Sequence, residues 1–451
     1  MTQRLKQYLS VVILAAGKGT RMRSSLPKVL QSMAGKPMIA QVISSAAPLS
    51  PDALVVVVAP QMNEVQACVQ QTFPAARFAV QTQQLGTGHA VLSALEQLPG
   101  SGVVLVLYGD TPLITTQTLA HMLRQHEEQQ ATISLLAMKL ESPTGYGRVM
   151  MASPPWVDVI VEEKDATPQQ RLNPWVWGGV MALDAAFLAA ALPKVAPSAA
   201  TGEIYLTTLL EAAANMGKRS LMVEVSKEEV MGVNDKVQLA QAEAVMQDRL
   251  RRRAMEAGVT MLAPHTVFLQ DDTEFEADVV VHPHVVFGAG VKVGQGAEIR
   301  AFSHLEQATI HRGATVGPYA RLRPGTVIGE GAHVGNFVEI KNSHLGRNAK
   351  ANHLSYLGDS EVGEGANVGA GTITCNYDGV NKYRTSIGAG SFIGSNTALV
   401  APVAVGRGAM VAAGSVITEN VPDDALAIAR AVQQNKPAKA AEIRQKKKKG
   451  A

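Results

Sequence analysis

The stretch Ile310–Ile340, IHRGATVGPYARLRPGTVIGEGAHVGNFVEI, decides how the second half of the chain folds. Aliphatic residues recur in it every six positions, at Ile310, Val316, Leu322, Ile328, Val334 and Ile340. The same spacing returns at Ile387, Ile393, Leu399, Val405, Val411 and Ile417, and glycine follows many of these positions, as at Gly317, Gly329, Gly335, Gly394 and Gly406. A period of six matches neither a helix, at about 3.6 residues per turn, nor a lone strand, at about two. It is the pattern of a parallel β-helix, in which each hexapeptide forms one flat face and then turns a corner. The aliphatic side chain points inward and stacks on its copies in neighbouring coils. The segment Thr372–Ser386, TITCNYDGVNKYRTS, interrupts the period and is expected to leave the solenoid as a loop on one face.

Working back toward the amino terminus, VQLAQAEAVMQDRLRRRAM (Val237–Met255) holds no Gly or Pro and is rich in helix formers. It predicts one long helix between two domains. Its basic cluster Arg251–Arg253 reads as a solvated helix end. The first half alternates β-branched runs (Ser10–Ala16, Ala53–Ala59, Gly102–Asp110) with helical spacing (Met38–Ala47, Thr116–Gln130). Near-continuous apolar strands between helices predict a mostly parallel sheet covered on both faces, a Rossmann-like α/β domain. The expected division is an α/β domain over 1–236, a linker helix over 237–257 and a β-helix over 258–451.

Composition sets outer bounds. A chain of 451 residues exceeds one ordinary core, and 46% hydrophobic with 18% charged residues is ordinary for a globular protein. Aromatics at 4% beside 40 glycines suit small aliphatic side chains and many tight turns. A net charge of +3 does not point to nucleic acid. Cys68 and Cys375 show no metal-ligand spacing, which favours a reducing cytoplasm over a disulfide framework. No apolar run reaches the roughly 20 residues that span a bilayer, so no integral membrane association is expected. The basic start before Val11–Ala16 is too short in its apolar part for a secretory signal. The tail QKKKKGA (Gln445–Ala451) reads as a disordered, solubilising end.

After the first strand come LAAGKGTRM (Leu14–Met22) and LPKVL (Leu26–Leu30). A glycine-rich turn after a strand frees backbone N–H groups for phosphate oxygens, and Lys18 and Arg21 add charge. The spacing is not that of a Walker loop. Together these segments resemble the signature of nucleotide-diphospho-sugar pyrophosphorylases. QQLGTGHA (Gln83–Ala90), LYGDTPL (Leu107–Leu113), PTGYGRV (Pro143–Val149) and GVND (Gly232–Asp235) are similar to the N-acetylglucosamine-1-phosphate uridyltransferase branch. In the second half, ARLRPG (Ala320–Gly325), GNFVEIKN (Gly335–Asn342), NHLSYLGD (Asn352–Asp359), NVGAGTITCNYDG (Asn367–Gly379) and NKYRT (Asn381–Thr385) resemble the glucosamine-1-phosphate acetyltransferase domain, a left-handed β-helix. The resemblance to bifunctional uridyltransferase/acetyltransferases thus spans nearly the whole chain.

That resemblance implies residue roles in the synthesis of UDP-N-acetylglucosamine from glucosamine-1-phosphate, acetyl-coenzyme A and UTP. It implies Mg²⁺ on Asp110 and Asn234, and Arg21 and Lys28 neutralising phosphate charge. Nucleotide and sugar contacts would come from Leu14, Ala15, Ala16, Gly17, Gln81, Gly86, Thr87, Tyr108, Gly109, Gly147 and Glu162. On the β-helix it implies His353 as general base, Arg323 and Lys341 gripping the sugar phosphate, and Tyr356, Asn367 and Lys382 as further substrate contacts. Acetyl-coenzyme A would meet Ala370, Asn376, Tyr377, Ser395, Ala413 and Arg430. A homotrimer is implied by the resemblance alone.

One departure stands out. The family carries a sugar-contacting Asn where PWVWGGV (Pro174–Val180) places Trp177. Either another group supplies that contact or the sugar preference is altered. The competing readings for the whole chain are a single-activity sugar nucleotidyltransferase whose β-helix only assembles or regulates the oligomer, and a scaffold with decayed sites.

Overall fold

The computed structural model describes residues 8–144, 146–199 and 201–449. The first seven residues of the basic start, Gly145 of the PTGYGRV segment and the last two residues of the tail lie outside them. The chain forms two compact units, Met1–Arg249 and Leu250–Ala451, and the division falls inside the helix Lys236–Glu256.

In the first unit the strands Arg77–Val80, Ala53–Val58, Leu9–Leu14 and Val103–Tyr108 lie side by side and parallel. Val55–Val58 and Val11–Ile13 are fully buried because separate apolar clusters cover the two faces of the sheet. The helices Met38–Ala46 and Thr116–Glu128 match the helical spacing read from the sequence. Beyond Val103–Tyr108 the sheet turns mixed: Trp175–Asp184 runs antiparallel both to it and to Ile133–Lys139. Leu14 pairs with Tyr108, and Gly109 N–H donates to Leu14 O at 3.0 Å. The glycine-rich turn and Asp110 therefore open at the same carboxyl edge, where open α/β sheets gather ligands.

In the second unit, among the described residues, three parallel sheets of ten, eight and eight strands run along a solenoid. The period of six resolves into stacks: Ile310 on Ile328, Val316 on Val334, Leu322 on Ile340, Ile387 on Val405, Ile393 on Val411 and Leu399 on Ile417. All twelve side chains are buried. The interruption behaves as expected. Val362 pairs with Ile387, 25 positions on, whereas Ile387 pairs with Val405, 18 on. The extra residues form a loop closed by the Tyr377–Lys382 bridge.

Two expectations need correction. Arg251 is no solvated helix end: it is buried and donates from its guanidinium to Val267 O at 3.0 Å. Its long aliphatic stem lets the buried guanidinium reach that carbonyl, while Arg252 and Arg253 are exposed. The tail is helical over Lys439–Lys449, because Ala, Glu, Arg, Gln and Lys are all good helix formers.

Candidate functional site

A pocket of about 350 Å³ opens at the carboxyl edge of the first sheet. Leu14, Ala15, Ala16, Gly17, Lys28, Gln81, Gly86, Thr87, Tyr108 and Asp110 line it. Gln84 and Glu203 line it too and were not anticipated. Gln84 Nε2 donates to Ala16 O at 2.6 Å, tying the QQLGTG turn to the glycine-rich turn. Its neighbours in that motif were the available signal. Gln81 is buried and donates to Gly86 O at 3.1 Å, while Thr87 Oγ1 accepts from Leu206 N–H at 3.1 Å.

At one end of the pocket, the Lys28 ammonium bonds to the Asp110 carboxylate and, at 3.2 Å, to Asn234 Oδ1. Arg21 donates to the same Asn234 Oδ1 at 3.0 Å. Asn234 is held from behind: its N–H donates to Gln238 Oε1 at 2.8 Å, and Val233 N–H to Asp110 O at 2.9 Å. Two hard oxygen donors thus converge on one cation. That donor set fits a small divalent ion which keeps phosphate and water in its remaining positions. No group of three or more His, Cys, Asp or Glu with metal-site geometry occurs among the described residues.

Gly147 and Glu162 are neighbours, the carboxylate oxygens being 3.5 Å from where a Gly147 side chain would begin. Burial, then the charge of Asp165, pushes the Glu162 carboxyl above the ordinary range. Burial likewise raises the Tyr108 phenol, against a hydrogen bond from Thr87. Arg148, buried and paired with Glu163 at 2.6 Å, braces this region and was not foreseen.

In the second unit His353 ends a strand whose register sets it on Asn336 of the coil before. Its Nδ1 lies 2.8 Å from Asn336 Oδ1, and because that oxygen only accepts, the neutral ring carries its proton on Nδ1. Nε2 then keeps a lone pair. Continuing the registers Ala351↔Val368, Val368↔Ile393 and Ile393↔Val411 two residues on places His353, Ala370, Ser395 and Ala413 at one corner of successive coils. Backbone bonds carry the corner: Gly371 N–H to Leu354 O, Asn396 N–H to Ala370 O and Gly414 N–H to Ser395 O. Arg430 closes the column, donating to Ala413 O at 2.6 Å. At roughly 4.8 Å per coil the corner runs roughly 14 Å from His353 to Ala413, a length that suits an extended ligand.

Beside that corner, on another sheet, gather cations. Lys341 pairs in register with Gly358, and Arg323 bonds to Glu339 at 2.8 Å. Lys382, through a hydrogen bond and then its charge, holds the Lys341 ammonium below the ordinary lysine range. Two ammonium groups so close call for an anion between them. Asp359, left-handed at φ 48° and buried, accepts from Asn342 at 2.6 Å and Asn376 at 2.5 Å. Burial pushes its carboxyl up, yet those two amides with Lys382 and Lys341 bring it below the usual range. Tyr356 belongs here, its hydroxyl beside Gly358. Asn367 does not: it pairs with Lys350 and Phe392 on the sheet of His353. Asn376 is buried against Asp359, whereas Tyr377 is exposed on the loop. Asn336, Asn342 and Asp359 were missed, since only the stacking of coils brings them in.

A nucleotide pocket on an α/β sheet and a histidine column on a hexapeptide β-helix define a nucleotidyltransferase joined to an acyltransferase. Residues 11–169 match the MobA-like NTP transferase domain, 307–342 the bacterial transferase hexapeptide (six repeats) and 384–419 the hexapeptide repeat of succinyl-transferase, consistent with a left-handed β-helix. Bifunctional protein GlmU of Jannaschia sp. is 49% identical over 97% of this chain and 96% of that protein. Those of Paracoccus denitrificans (50%; 98% and 99%) and Zymomonas mobilis (46%; 98% and 98%) are similar over the same extent. The chain belongs to the GlmU family. It is a bifunctional acetyltransferase and uridyltransferase of UDP-N-acetylglucosamine synthesis, which sets aside a β-helix that only assembles the oligomer.

Proposed function

We propose that acetyl transfer from acetyl-coenzyme A to glucosamine-1-phosphate runs on the β-helix, and that uridylyl transfer from UTP to N-acetylglucosamine-1-phosphate runs in the α/β unit. The observation that carries the first assignment is the His353–Asn336 bond, which fixes the ring with Nε2 free to accept a proton. The 2-amino group attacks the thioester carbonyl and gives its proton to Nε2; the C–S bond breaks, and the imidazolium returns that proton to the departing sulfur, so coenzyme A leaves as the thiol. Arg323, Lys341 and Lys382 hold the sugar phosphate, and the Ala370–Ser395–Ala413 corner with Arg430 holds the coenzyme.

In the α/β unit the glycine-rich turn and Gln81, Gly86 and Thr87 seat the nucleotide, while Lys28 and Arg21 take up charge as the sugar phosphate attacks the α-phosphorus. Asp110 and Asn234 would hold Mg²⁺, which when bound supplies positive charge to the phosphates. A homotrimer is part of this reading. One subunit leaves a ladder of stacked rings, Phe302, Tyr319 and Phe337, about half exposed at 49%, 48% and 54%. Cys68 and Cys375 are both free thiols, in keeping with a cytoplasmic setting, and no described helix is long and apolar enough to cross a membrane.

The test is a paired assay on the full chain: thiol release from acetyl-coenzyme A with glucosamine-1-phosphate, and pyrophosphate release from UTP, Mg²⁺ and N-acetylglucosamine-1-phosphate. His353→Ala should lose only thiol release. Loss of both, or of neither, would overturn the two-site assignment.

A further inference from the structure

Trp177 sits on the strand Trp175–Asp184, pairs with Ala137, and its backbone N–H donates to Gly147 O at 3.2 Å. Immediately after it the register shifts, and Gly178 and Gly179 form the irregular turn. Gly179 is left-handed at φ 82°, and a side chain there would begin 3.5 Å from the Tyr108 ring. The bulge lets the indole meet Tyr108 edge to face, with centroids 6.1 Å apart and planes at 80°. Tyr108 also lines the nucleotide pocket, and Gly147, to which Trp177 is bonded, abuts the Glu162 carboxylate. Trp177, Tyr108, Gly147 and Glu162 are thus neighbours in pairs and mark one candidate subsite beside the pocket.

The chemistry of that subsite is lopsided. An indole has a single donor and no acceptor, and here Nε1 is turned back to Val180 O at 3.5 Å. Trp177 thus offers a ligand an apolar wall and no hydrogen bond. Polar groups at the subsite include the Glu162 carboxylate, the Tyr108 hydroxyl and the Gly147 backbone. An apolar aromatic face and a carboxylate in the same subsite suit a pyranose, whose C–H face is apolar and whose hydroxyl or amide N–H groups donate.

We infer that Trp177 is a specificity-determining residue of the uridyltransferase: its indole packs on the C–H face of the sugar of the sugar-1-phosphate, and Glu162 reads the polar edge. This rests on the uridyltransfer reading above. Where the family sets an asparagine against the sugar, this chain sets an aromatic face that stacks on it.

The experiment uses the full chain and pyrophosphate release. Trp177→Ala should raise the KM for N-acetylglucosamine-1-phosphate about three- to tenfold, the range an aromatic contact contributes. The KM for UTP should stay within about twofold, and Trp177→Phe should keep the wild-type KM for the sugar phosphate. Intrinsic fluorescence adds a readout that does not need turnover. Titrating the wild type with N-acetylglucosamine-1-phosphate should quench emission, and Trp177→Phe, which retains Trp156 and Trp175, should lose that response. An unchanged sugar KM in Trp177→Ala, an equal rise in the KM for UTP, or quenching that persists in Trp177→Phe would each overturn the proposal. If Trp177→Ala fails to fold, the Trp177→Phe kinetics and titration decide. A wild type that releases no pyrophosphate would instead sink the underlying uridyltransfer reading.

Discussion

Asn336 Oδ1 accepts the Nδ1–H of His353 across 2.8 Å, from the coil immediately before it in the solenoid. The bond orients the ring and selects the tautomer that a general base requires. Asn336→Ala should lower thiol release about tenfold, and His353→Ala about a hundredfold or more, with pyrophosphate release intact in both. Steady-state thiol assays check this. Equal activity of Asn336→Ala and wild type would show that the tautomer is set some other way.

The Lys28 ammonium between Asp110 and Asn234 marks where positive charge is needed in the α/β unit. Asp110→Ala should reduce pyrophosphate release about a hundredfold or more. Chelation by EDTA should abolish pyrophosphate release, restored by added Mg²⁺, and leave thiol release unaffected. Measuring both products in one sample separates a metal-dependent site from general inactivation.

Glu162 is held above the ordinary carboxylate range by burial and then by Asp165. A carboxyl that binds its proton more tightly in the folded state loses stability as pH rises from its unfolded pKa through the folded one. At neutral pH the ionised Glu162 therefore costs stability. Glu162→Gln should raise the thermal midpoint while raising the KM for the sugar phosphate about tenfold. In the wild type that KM should climb as pH falls through the raised pKa, and the variant should lack this limb.

Ile340 is fully buried, with Leu322 before it and Leu357 after it in the stack. Ile340→Ala should cost about 2–5 kcal/mol of unfolding free energy, read from denaturant titration. Coils touch only their neighbours, so the α/β unit should keep its pyrophosphate release at temperatures where the variant β-helix still holds.

Periodic and contiguous features were legible. The period of six specified the solenoid because each inward aliphatic must stack on a copy one coil away, as Val316 does on Val334. LAAGKGTRM, LPKVL and LYGDTPL pointed to a phosphate site because strand, turn and charged residues are adjacent along the chain. Arg251 was misread for the converse reason. A basic cluster looks solvated until the chain folds back and Val267 O presents itself as an acceptor.

By itself the sequence determined the two architectures, the interruption at Thr372–Ser386 and the residue types available for chemistry, since these follow from local periodicity and turn residues. Only the tertiary structure decided which of those residues meet. Asn336 reaches His353 through a register between coils, and Asn234 reaches Lys28 across 206 positions of chain. Trp177 meets Tyr108 because a bulge at Gly178 and Gly179 bends its strand. Such contacts depend on strand register and on a local break in it, and neither leaves a periodic trace in the order of residues.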